Sequence, residues 1–450
     1  MRKIILILFT ICSLQSNATI WYVSQGASGT NSGTITNPWQ SLASINMSSI
    51  NAGDLVCFEK GKTYSGTLTI TRSGSAGNPI TWTTYGVGDN PKFIGTGTTQ
   101  NYLFYMSNRS YNVFEYFKIT DPTINLSDSS ELSNIQRAFT FDGNSSNNII
   151  RNCFIELAGV GVYIPSSVGG CTVTGTEMTN LRMVVSSGGG DYGSNPVVLE
   201  SGNNIITRNY FHDCIAQSVE FGYDGGAVEL YAGGISGNVI SYNRIENCLV
   251  LSEFGSGSGG TISNTVYAYN RLINNGCTFY VNTSGGFAVS ISNIQLYNNT
   301  IVEQRQNVVG DTYMIGLQTA VGTAGQIVMK NNIMYLRAGI DVCRSGQFTG
   351  SQLTHTNNLY NLGSGSVLNF TLGGTEKSES SSIWQSQSDP NAINWNYQLL
   401  SNSSARGMGT NVGFTTDYAG KPVPSVPDAG IYQFQTGQTT VITKGIKFLQ

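Results

Sequence analysis

The sequence predicts an all-β fold in which the chain winds into a single parallel β-helix. One observation is a short phrase with an asparagine near its centre, which returns every 26 to 34 residues. It reads ITRNYF at residues 206–211 and ISYNRI at residues 240–245, and the repeated residue is placed at Asn209, Asn243, Asn270, Asn298, Asn331 and Asn357. The other observation is that each copy alternates apolar and polar residues, as strands do, with no helical spacing after it. Such a period predicts a solenoid in which each repeat is one coil.

The repeated asparagine has a predicted structural role in the turn between two strands. One coil cannot bury its own inward face, so neighbouring coils stack at about 4.8 Å and share one core. An asparagine amide at the turn can bond to the same residue of the next coil and tolerates left-handed backbone geometry. An earlier copy centres on Asn152, and Gly175 occupies the position between it and Asn209. We therefore expect a stack of asparagines along the solenoid.

Composition and the first residues predict an exported protein. Arg2 and Lys3 precede a short apolar run at residues 4–9, and Ser16-Asn17-Ala18 has the small-x-small pattern of a cleavage site. Residues 1–18 are therefore predicted to be a signal peptide, with an apolar run too short to span a bilayer. The mature chain is expected in the medium, the periplasm or at the cell surface, as a monomer without a membrane span. A net charge of −3 gives no indication of a nucleic-acid partner.

Seven of the eight cysteines remain after removal of the leader, which contains Cys12. Cys214 and Cys248 each follow their coil's asparagine by five residues, so they are expected to stack on adjacent coils. A stack of small buried residues is favoured over a disulfide. Because no cysteines have C-x-x-C spacing and only two histidines occur, a zinc site is not expected.

The mature chain divides into three predicted parts. Residues 19–110 are expected to form an N-terminal cap and the first coils, since an uncovered solenoid end invites aggregation. Residues 111–365 are expected to form the central coils, with loops that line a substrate cleft. Residues 366–450 lose the asparagine period and are expected to form the last coil, an irregular C-terminal cap and a tail.

Both ends of the mature chain resemble a known superfamily. The opening Trp21-Tyr22-Val23-Ser24, a loop rich in Gly, Ser and Thr, and Asn37-Pro38-Trp39 resemble the start of many secreted β-helix proteins of the pectate-lyase superfamily. The ending Asp428-Ala429-Gly430-Ile431-Tyr432 is similar to the closure that follows their last coil. The resemblance implies a right-handed β-helix and action on carbohydrates. Because the superfamily holds lyases, hydrolases, epimerases and binding proteins, it does not imply one activity.

Two insertions and one strand indicate where a binding face lies. The segments Met183–Pro196 and Ile215–Asp224 are longer than a regular coil needs, and each precedes a strand on the same face. Loops that extend from one face of a rigid scaffold usually line a site. In the strand at residues 227–231, inward Val228 and Leu230 leave Glu229 and Tyr231 facing outward.

Aligning the coils by their asparagines gathers further candidates beside Glu229. Glu200 lies one coil away, and Glu253 falls nearby in a register that a glycine run obscures. Carboxylates flanked by aromatic and amide groups suit a sugar polymer. The residues predicted to bind substrate are Tyr163, Arg182, Asp191, Tyr223, Tyr231, Tyr280 and Asn282.

The local motif Tyr223-Asp224-Gly225-Gly226 resembles a phrase found in β-helix proteins that act on carbohydrates. Glycoside hydrolysis needs two carboxyl groups across the scissile bond, one of them protonated. We therefore expect a glycoside hydrolase in which Asp224 and Glu229 are the first catalytic pair. Glu200, Glu220 and Asp191 are held in reserve.

Simpler interpretations of these residues stay open. Asp224 would also serve as the cap of the turn before the two glycines. Glu229 would be an ordinary polar residue on a solvated face. The acids would also suit calcium, which the superfamily often binds, although the sequence requires no cofactor. His212-Asp213 is interpreted as the polar edge of a turn.

Two other classes of function compete with a hydrolase. A polysaccharide lyase acting on a uronic-acid polymer needs a base and a cation, yet no lysine occurs between Lys118 and Lys330. Such an enzyme would have to use Tyr231 or His212 as base, with calcium or Arg182 neutralising the substrate carboxylate. The third class is a non-catalytic adhesin or glycan-binding protein, which the same face would serve.

Overall fold

The computed structural model describes residues 18–96, 100–185, 190–305, 312–318, 326–348 and 352–434. The predicted signal peptide lies outside these residues apart from Ala18, and so do Cys12 and the tail from residue 435. None of the described helices is long and apolar enough to cross a membrane.

Three long parallel sheets run along the molecule and contain most of the strands. Sheet 1 has twelve strands: Ile20–Val23, Leu55–Glu59, Ile80–Tyr85, Asn112–Glu115, Ile149–Arg151, Thr172–Thr174, Ile205–Thr207, Val239–Ser241, Val266–Ala268, Ile294–Tyr297, Ile327–Lys330 and Leu353–Thr356. Sheet 2 also has twelve: Thr63–Ser65, Lys92–Ile94, Lys118–Thr120, Phe154–Glu156, Glu177–Thr179, Tyr210–His212, Arg244–Glu246, Arg271–Ile273, Thr300–Glu303, Ile333–Leu336, Leu359–Leu362 and Lys377–Ser378. Sheet 3 has ten: Leu68–Ile70, Gln100–Ser107, Ile135–Asp142, Val160–Ile164, Asn195–Leu199, Val228–Tyr231, Val250–Gly255, Cys277–Val281, Tyr313–Leu317 and Asp341–Cys343.

Smaller elements lie between the coils and after them. Two antiparallel hairpins interrupt the path from sheet 2 to sheet 3: the first hairpin pairs Met183–Val185 with Asp191–Gly193, and the second hairpin pairs Ala216–Ser218 with Gly222–Asp224. Thr261–Ser263 pairs in parallel with Ser290–Ser292, and Trp384–Ser386 pairs antiparallel with Asn396–Leu399. The 3-10 helices are Leu42–Ser44, Met47–Ser49, Gly285–Phe287 and Ala392–Asn394.

The predicted parallel β-helix is confirmed by the order of the strands. Each coil between the two ends contributes one strand to each sheet, and equivalent strands of successive coils pair in parallel. The inward residues of sheet 1 form one continuous buried stack: Ile150, Val173, Ile206, Ile240, Tyr267, Leu296 and Met329. Burial of this shared apolar interior is the main stabilising term, because a single coil has no core of its own.

The predicted asparagine ladder exists, but the repeated asparagines occupy two adjacent turn positions that the sequence pattern did not distinguish. The first position is left-handed, with φ of 54° at Asn152 and 52° at Asn298, and Arg208 adopts the same geometry at φ 57°. The second position points inward and carries the ladder: Asn209, Asn243, Asn270, Asn299, Asn332 and Asn358. Placing the ladder at Asn298, Asn331 and Asn357 was therefore wrong by one residue, because asparagine suits both positions and each of those coils has two in a row.

Each ladder asparagine bonds both to its neighbouring coil and to the main chain. The Asn270 side-chain amide donates to Ile240 O and Asn299 Oδ1, while its own Oδ1 accepts from the backbone and side-chain amides of Asn243. At the last coil the buried Glu376 takes the next place, since its Oε1 accepts from Asn358 Nδ2 at 2.7 Å. A carboxylate ends the ladder because it accepts without requiring an acceptor beyond it.

The cysteines behave as small apolar residues, as expected. Cys214 and Cys248 are fully buried free thiols on adjacent coils, and Leu249 N donates to Cys214 O between those coils. Cys57, Cys153, Cys171 and Cys343 are likewise buried and free. Burial raises the pKa of the Cys57 thiol to about 11 and that of Cys153 to about 12, which keeps both protonated and unreactive.

The region predicted to hold the last coil and the C-terminal cap lies partly against the last coil and partly beside earlier ones. The Phe370 ring lies 4.5 Å from that of His355 in the last strand of sheet 1, whereas residues 383–434 pack along the flank of the solenoid. Arg271 Nη2 donates to Ile393 O at 2.6 Å, and Tyr242 OH donates to Thr416 O at 2.9 Å. The Asp428 to Tyr432 phrase belongs to this contact, because Gly430 N donates to Asn331 O at 2.7 Å. We name residues 383–434 the flank segment.

Candidate active site

The outward face of sheet 3 carries the predicted candidates in its central strands. In Val228–Tyr231, Val228 and Leu230 are fully buried while Glu229 and Tyr231 are half-buried on the opposite side. Glu229 pairs in register with Val198, and Val198 pairs with Tyr163. On the other side Leu230 pairs with Phe254, which sets Glu229 beside Glu253. Adjacent strands are about 4.8 Å apart, so the carboxyls of Glu229 and Glu253 are neighbours.

A second outward row lies next to the first. Glu200 follows Leu199, which pairs with Leu230, so Glu200 lies beside Tyr231 on the adjacent coil. In the opposite direction Tyr231 pairs with Gly255. Side chains added at Gly255 would meet the Tyr231 ring, so this glycine leaves room for the tyrosine to lie across the neighbouring coil.

Asp224 reaches the same face from the second hairpin. It ends the hairpin, and two glycines connect it to the strand that carries Glu229. Gly225 has φ +122°, and a Cβ there would lie 2.8 Å from Ser194 Cβ and 2.9 Å from Cys214 O. Only glycine allows this close approach, so the connection holds Asp224 against the coil. The same aspartate also caps its turn, because Gly225 N donates to Asp224 Oδ1 at 2.7 Å.

We name Glu200, Asp224, Glu229 and Glu253 the acidic cluster. Three of its members are held by neutral donors at 2.7 Å: Asn195 Nδ2 donates to Glu229 Oε2, Asn282 Nδ2 donates to Glu253 Oε1, and Tyr163 OH donates to Glu200 Oε1. Each of these bonds engages one oxygen of its carboxyl. A carboxylate has acceptor capacity on both oxygens, so the bonds orient the carboxyls of Glu229 and Glu253 while a second oxygen can face a ligand.

Burial and mutual repulsion separate the protonation states of the cluster. Burial raises the pKa of Glu253, and the bond from Asn282 opposes the rise. Burial raises the pKa of Asp224 to about 7, with the Glu253 charge as the next cause. Burial also holds the pKa of Glu229 well above its usual range, and the charges of Glu253, Asp224 and Glu200 add to the effect. The charges of three neighbouring acids therefore oppose ionisation of Glu229, which favours its protonated form.

Aromatic groups border the acidic cluster along the solenoid. The Tyr231 ring lies 6.2 Å from the half-exposed ring of Phe287, and the Tyr163 ring lies 3.7 Å beneath the guanidinium of Arg137. Tyr280 pairs in register with Glu253, on the side away from Tyr163. The three tyrosines were predicted from the sequence, whereas Arg137 and Phe287 were not, because nothing in the repeat marks a loop aromatic or an outward arginine.

The other predicted site residues differ in their relation to the acidic cluster. Arg182 is 3% exposed and donates to Leu126 O at 2.9 Å, so it supports a neighbouring loop and is not available to substrate. Asp191 accepts from Ser218 Oγ at 3.0 Å and Val219 N at 2.7 Å, which joins the two hairpins, and its charge helps to raise the pKa of Asp224. Glu220 and Tyr223 are exposed on the second hairpin. Residues 186–189 of the first insertion lie outside the described residues.

Glu253 was noted in the sequence but not included among the predicted site residues. The loop behind it differs in length from its neighbours, which obscured the alignment of Val250–Gly255 with the preceding strand. The structure settles that register through the pairs Leu230 with Phe254 and Glu253 with Tyr280. A count forward from each coil's own asparagine aligns Glu253 with Tyr280, because Glu253 follows Asn243 by ten residues and Tyr280 follows Asn270 by ten.

His212 belongs to a separate group on sheet 2. Its ring nitrogens contact Glu177 Oε1 at 3.2 Å and Asp213 Oδ2 at 2.7 Å, and its ring stacks on Tyr210 at 4.1 Å. Burial lowers its pKa, but Asp213 and Glu177 outweigh burial and raise the pKa to about 9. His212 is therefore a charged partner in an ion-pair group on sheet 2, not on the face of the acidic cluster.

The described residues contain no group of three or more His, Cys, Asp or Glu side chains arranged to hold a metal ion. The structure therefore identifies no residues as calcium ligands.

Comparison with known proteins agrees with this architecture. The family described as the right-handed beta helix region matches residues 137–307. The crystal structure of pectate lyase Pel9A is similar at a TM-score of 0.58 and 15% identity, covering 93% of this chain and 97% of that one. The structure of XylC with xylose is similar at 0.52 and 11%, covering 93% and 98%. A tailspike protein of E. coli bacteriophage HK620 is similar at 0.51 and 12%, covering 72% and 58%.

No protein with a curated description matches the chain significantly. The family match and the structural likenesses at these identities establish the fold, which is a right-handed parallel β-helix. Because that fold hosts different chemistries, the function has to be argued from the acidic cluster.

Proposed function

We propose that this protein is an exported glycoside hydrolase that cuts a polysaccharide lying across sheet 3. The observation that carries the proposal is the acidic cluster, in which Glu229 and Glu253 are neighbours on adjacent coils and Asp224 stands beside them. Glycoside hydrolysis requires one protonated carboxyl and one ionised carboxylate. The raised pKa of Glu229 favours its protonated form, and a pKa of about 7 at Asp224 gives that residue both states near neutral pH.

Glu229 is the proposed general acid. It lies at the centre of the cluster, its pKa is held well above the usual range, and Asn195 fixes one of its oxygens. The ionised partner is Glu253 or Asp224, acting as base or nucleophile. The pair expected from sequence, Asp224 with Glu229, therefore becomes a group of three. The separation between the partners in the bound complex decides whether the product retains or inverts its configuration.

The aromatic residues are proposed to form sugar-binding positions on both sides of the acid. Tyr163 lies on the coil two before Glu229, and Tyr280 lies on the coil two after it. Because coils are about 4.8 Å apart, these rings are about 19 Å apart along the solenoid axis. A chain bound along that axis would stack on one or both rings while its bond to be cut lies over Glu229.

The test is turnover of a panel of neutral and acidic polysaccharides by the wild type and by Glu229→Gln, Asp224→Asn and Glu253→Gln. We expect new reducing ends from the wild type, and a loss of about 10²- to 10⁴-fold in kcat for Glu229→Gln at unchanged circular dichroism. Glu156→Gln, which removes an acid from sheet 2, is the matched control. Near-full activity in all three cluster variants would refute the site.

A polysaccharide lyase is the second candidate, since Pel9A is described as a pectate lyase. It would need a cation for the substrate carboxylate, and Arg137 is the one basic residue in the described strands of sheet 3. Arg137 lies three coils from the strand of Glu229. An unsaturated product absorbing in the ultraviolet would replace the hydrolase proposal with the lyase. Binding without any turnover would favour a glycan-binding protein.

A further inference from the structure

The groove over sheet 3 is unusually poor in positive charge. The described strands of this sheet contain four acidic residues, Asp142, Glu229, Glu253 and Asp341, and Glu200 and Asp224 adjoin its strands. Against them stand two guanidinium groups: that of Arg137, in a strand of the sheet, lies over the Tyr163 ring, and that of Arg344, which adjoins the last strand, lies over the Tyr313 ring. Neither arginine is on a coil next to Glu229.

The carboxyls of the acidic cluster accept hydrogen bonds from neutral donors, where a site for acidic sugars would need cations. Asn195, Asn282 and Tyr163 hold the carboxyls of the acidic cluster, each through one hydrogen bond. Glu229 and Glu253 are therefore held through neutral donors, whereas the charge of Arg137 acts on Glu200 at the edge of the cluster. An anionic sugar placed here would meet at least one ionised carboxylate in a partly desolvated site, where repulsion is stronger than in water.

An uncharged sugar would meet complementary groups instead. The second oxygens of Glu229 and Glu253 can accept from sugar hydroxyls. The rings of Tyr163, Tyr231 and Tyr280 can stack on the apolar faces of sugar rings. Neither interaction requires a charge on the sugar. An ionised carboxylate strengthens the hydrogen bonds that it accepts from sugar hydroxyls.

We propose that the groove takes an uncharged polysaccharide and discriminates against polyuronates, with Glu200 as a specificity-determining residue. This inference rests on the proposed hydrolase but concerns the ligand, so binding can test it separately from turnover. Glu200 is the natural determinant because it lies beside Tyr231, contributes its charge to the Glu229 environment, and is not one of the three proposed catalytic carboxyls.

The experiment measures binding of the full chain carrying Glu229→Gln to soluble neutral polymers and to polygalacturonate and alginate. Neutral xylan, β-glucan and galactomannan are the neutral set. At pH 7.5 and low salt, we expect at least one neutral polymer to bind about tenfold or more tightly than either polyuronate. Added salt should narrow the difference by screening the repulsion. Tighter binding of a polyuronate than of every neutral polymer would overturn the inference.

A second variant locates the discrimination. Adding Glu200→Gln to the Glu229→Gln protein should strengthen polyuronate binding severalfold. Adding Glu156→Gln on sheet 2 should leave the ratio of neutral-polymer affinity to polyuronate affinity unchanged. If Glu200→Gln also leaves that ratio unchanged, the role of Glu200 is refuted. Hydrolysis of a polyuronate by the wild type would refute the proposed substrate class but support the proposed hydrolase. Binding of a neutral polymer without any turnover would support the substrate class but refute the hydrolase.

Discussion

Asp224→Asn should make the protein more stable at alkaline pH while it loses activity. The substitution keeps the shape of the side chain, and an asparagine oxygen can still accept from Gly225 N as Asp224 Oδ1 does. What it removes is a carboxyl whose pKa is raised from 3.8 to about 7, first by burial and next by the charge of Glu253. The difference corresponds to about 4 kcal/mol at full effect. Because Asp224 is only half-buried and water screens it, we expect a gain of about 2 kcal/mol.

The sign of the effect follows from proton linkage. The folded protein binds the Asp224 proton more tightly than the unfolded chain does, so no cost is present below about pH 4. The cost grows as pH rises from 3.8 to about 7 and is constant above that range. The variant should therefore match the wild type in stability at pH 4 and exceed it at pH 8.

Urea unfolding of both proteins at pH 4 and pH 8 measures this difference, with turnover followed at pH 7. Glu156→Gln on sheet 2 serves as a control for loss of one acidic charge. Equal stability of the wild type and Asp224→Asn at pH 8, or a larger gain at pH 4 than at pH 8, would refute the reasoning. Such a result would mean that Asp224 is well hydrated and contributes nothing to the electrostatics of the cluster.

Three further predictions concern other parts of the molecule. Asn270→Ala should lower the free energy of unfolding by about 3 kcal/mol, because it leaves buried ladder groups without partners. The control Asn101→Ala, at an exposed position, should change that free energy by less than about 0.5 kcal/mol. Equal urea midpoints for the two variants would contradict this prediction. Arg271→Ala removes the bond to Ile393 O and should speed limited proteolysis within the flank segment, and an unchanged cleavage rate would contradict it. Tyr231→Ala should raise KM about tenfold with a smaller effect on kcat, because stacking stabilises the bound sugar equally in the ground state and the transition state. An unchanged KM would show that Tyr231 does not contact the substrate.

The fold could be predicted from the sequence because one turn residue type is required in every coil. The ladder bonds of Asn209 and Asn243 repeat in each later coil, so the period is visible despite loops of different length. The sequence could not distinguish the left-handed position from the ladder position where both are asparagine, as at Asn298 and Asn299. The flank segment was also unpredictable, because contacts such as Arg271 with Ile393 join residues far apart in sequence and leave no periodic signal.

The candidate site was predictable only where strand alternation and coil register both held. Glu229 follows from alternation and Tyr163 from register, and the structure places both on the same face. Arg182 was misplaced because it lies at the start of an insertion, where period-two alternation no longer decides the direction of a side chain. The electrostatic coupling within the acidic cluster depends on burial, which no spacing in the sequence reports.

The ladder and the acidic cluster occupy the same coils, and this explains how the solenoid tolerates neighbouring acids. Two ionised carboxyls about 5 Å apart would repel each other by about 3 kcal/mol at an effective dielectric constant of about 20. The coils that carry Glu229 and Glu253 are joined at their turns by Asn209 and Asn243, through two bonds to Asn243 Oδ1 and one from its amide to Ile206 O. At about 1 kcal/mol each, these bonds offset a repulsion of that size. The hydrogen bonds at the turn thus hold the two coils together against the repulsion between Glu229 and Glu253 in the groove. The two acids can therefore stay close enough for each charge to shift the pKa of the other.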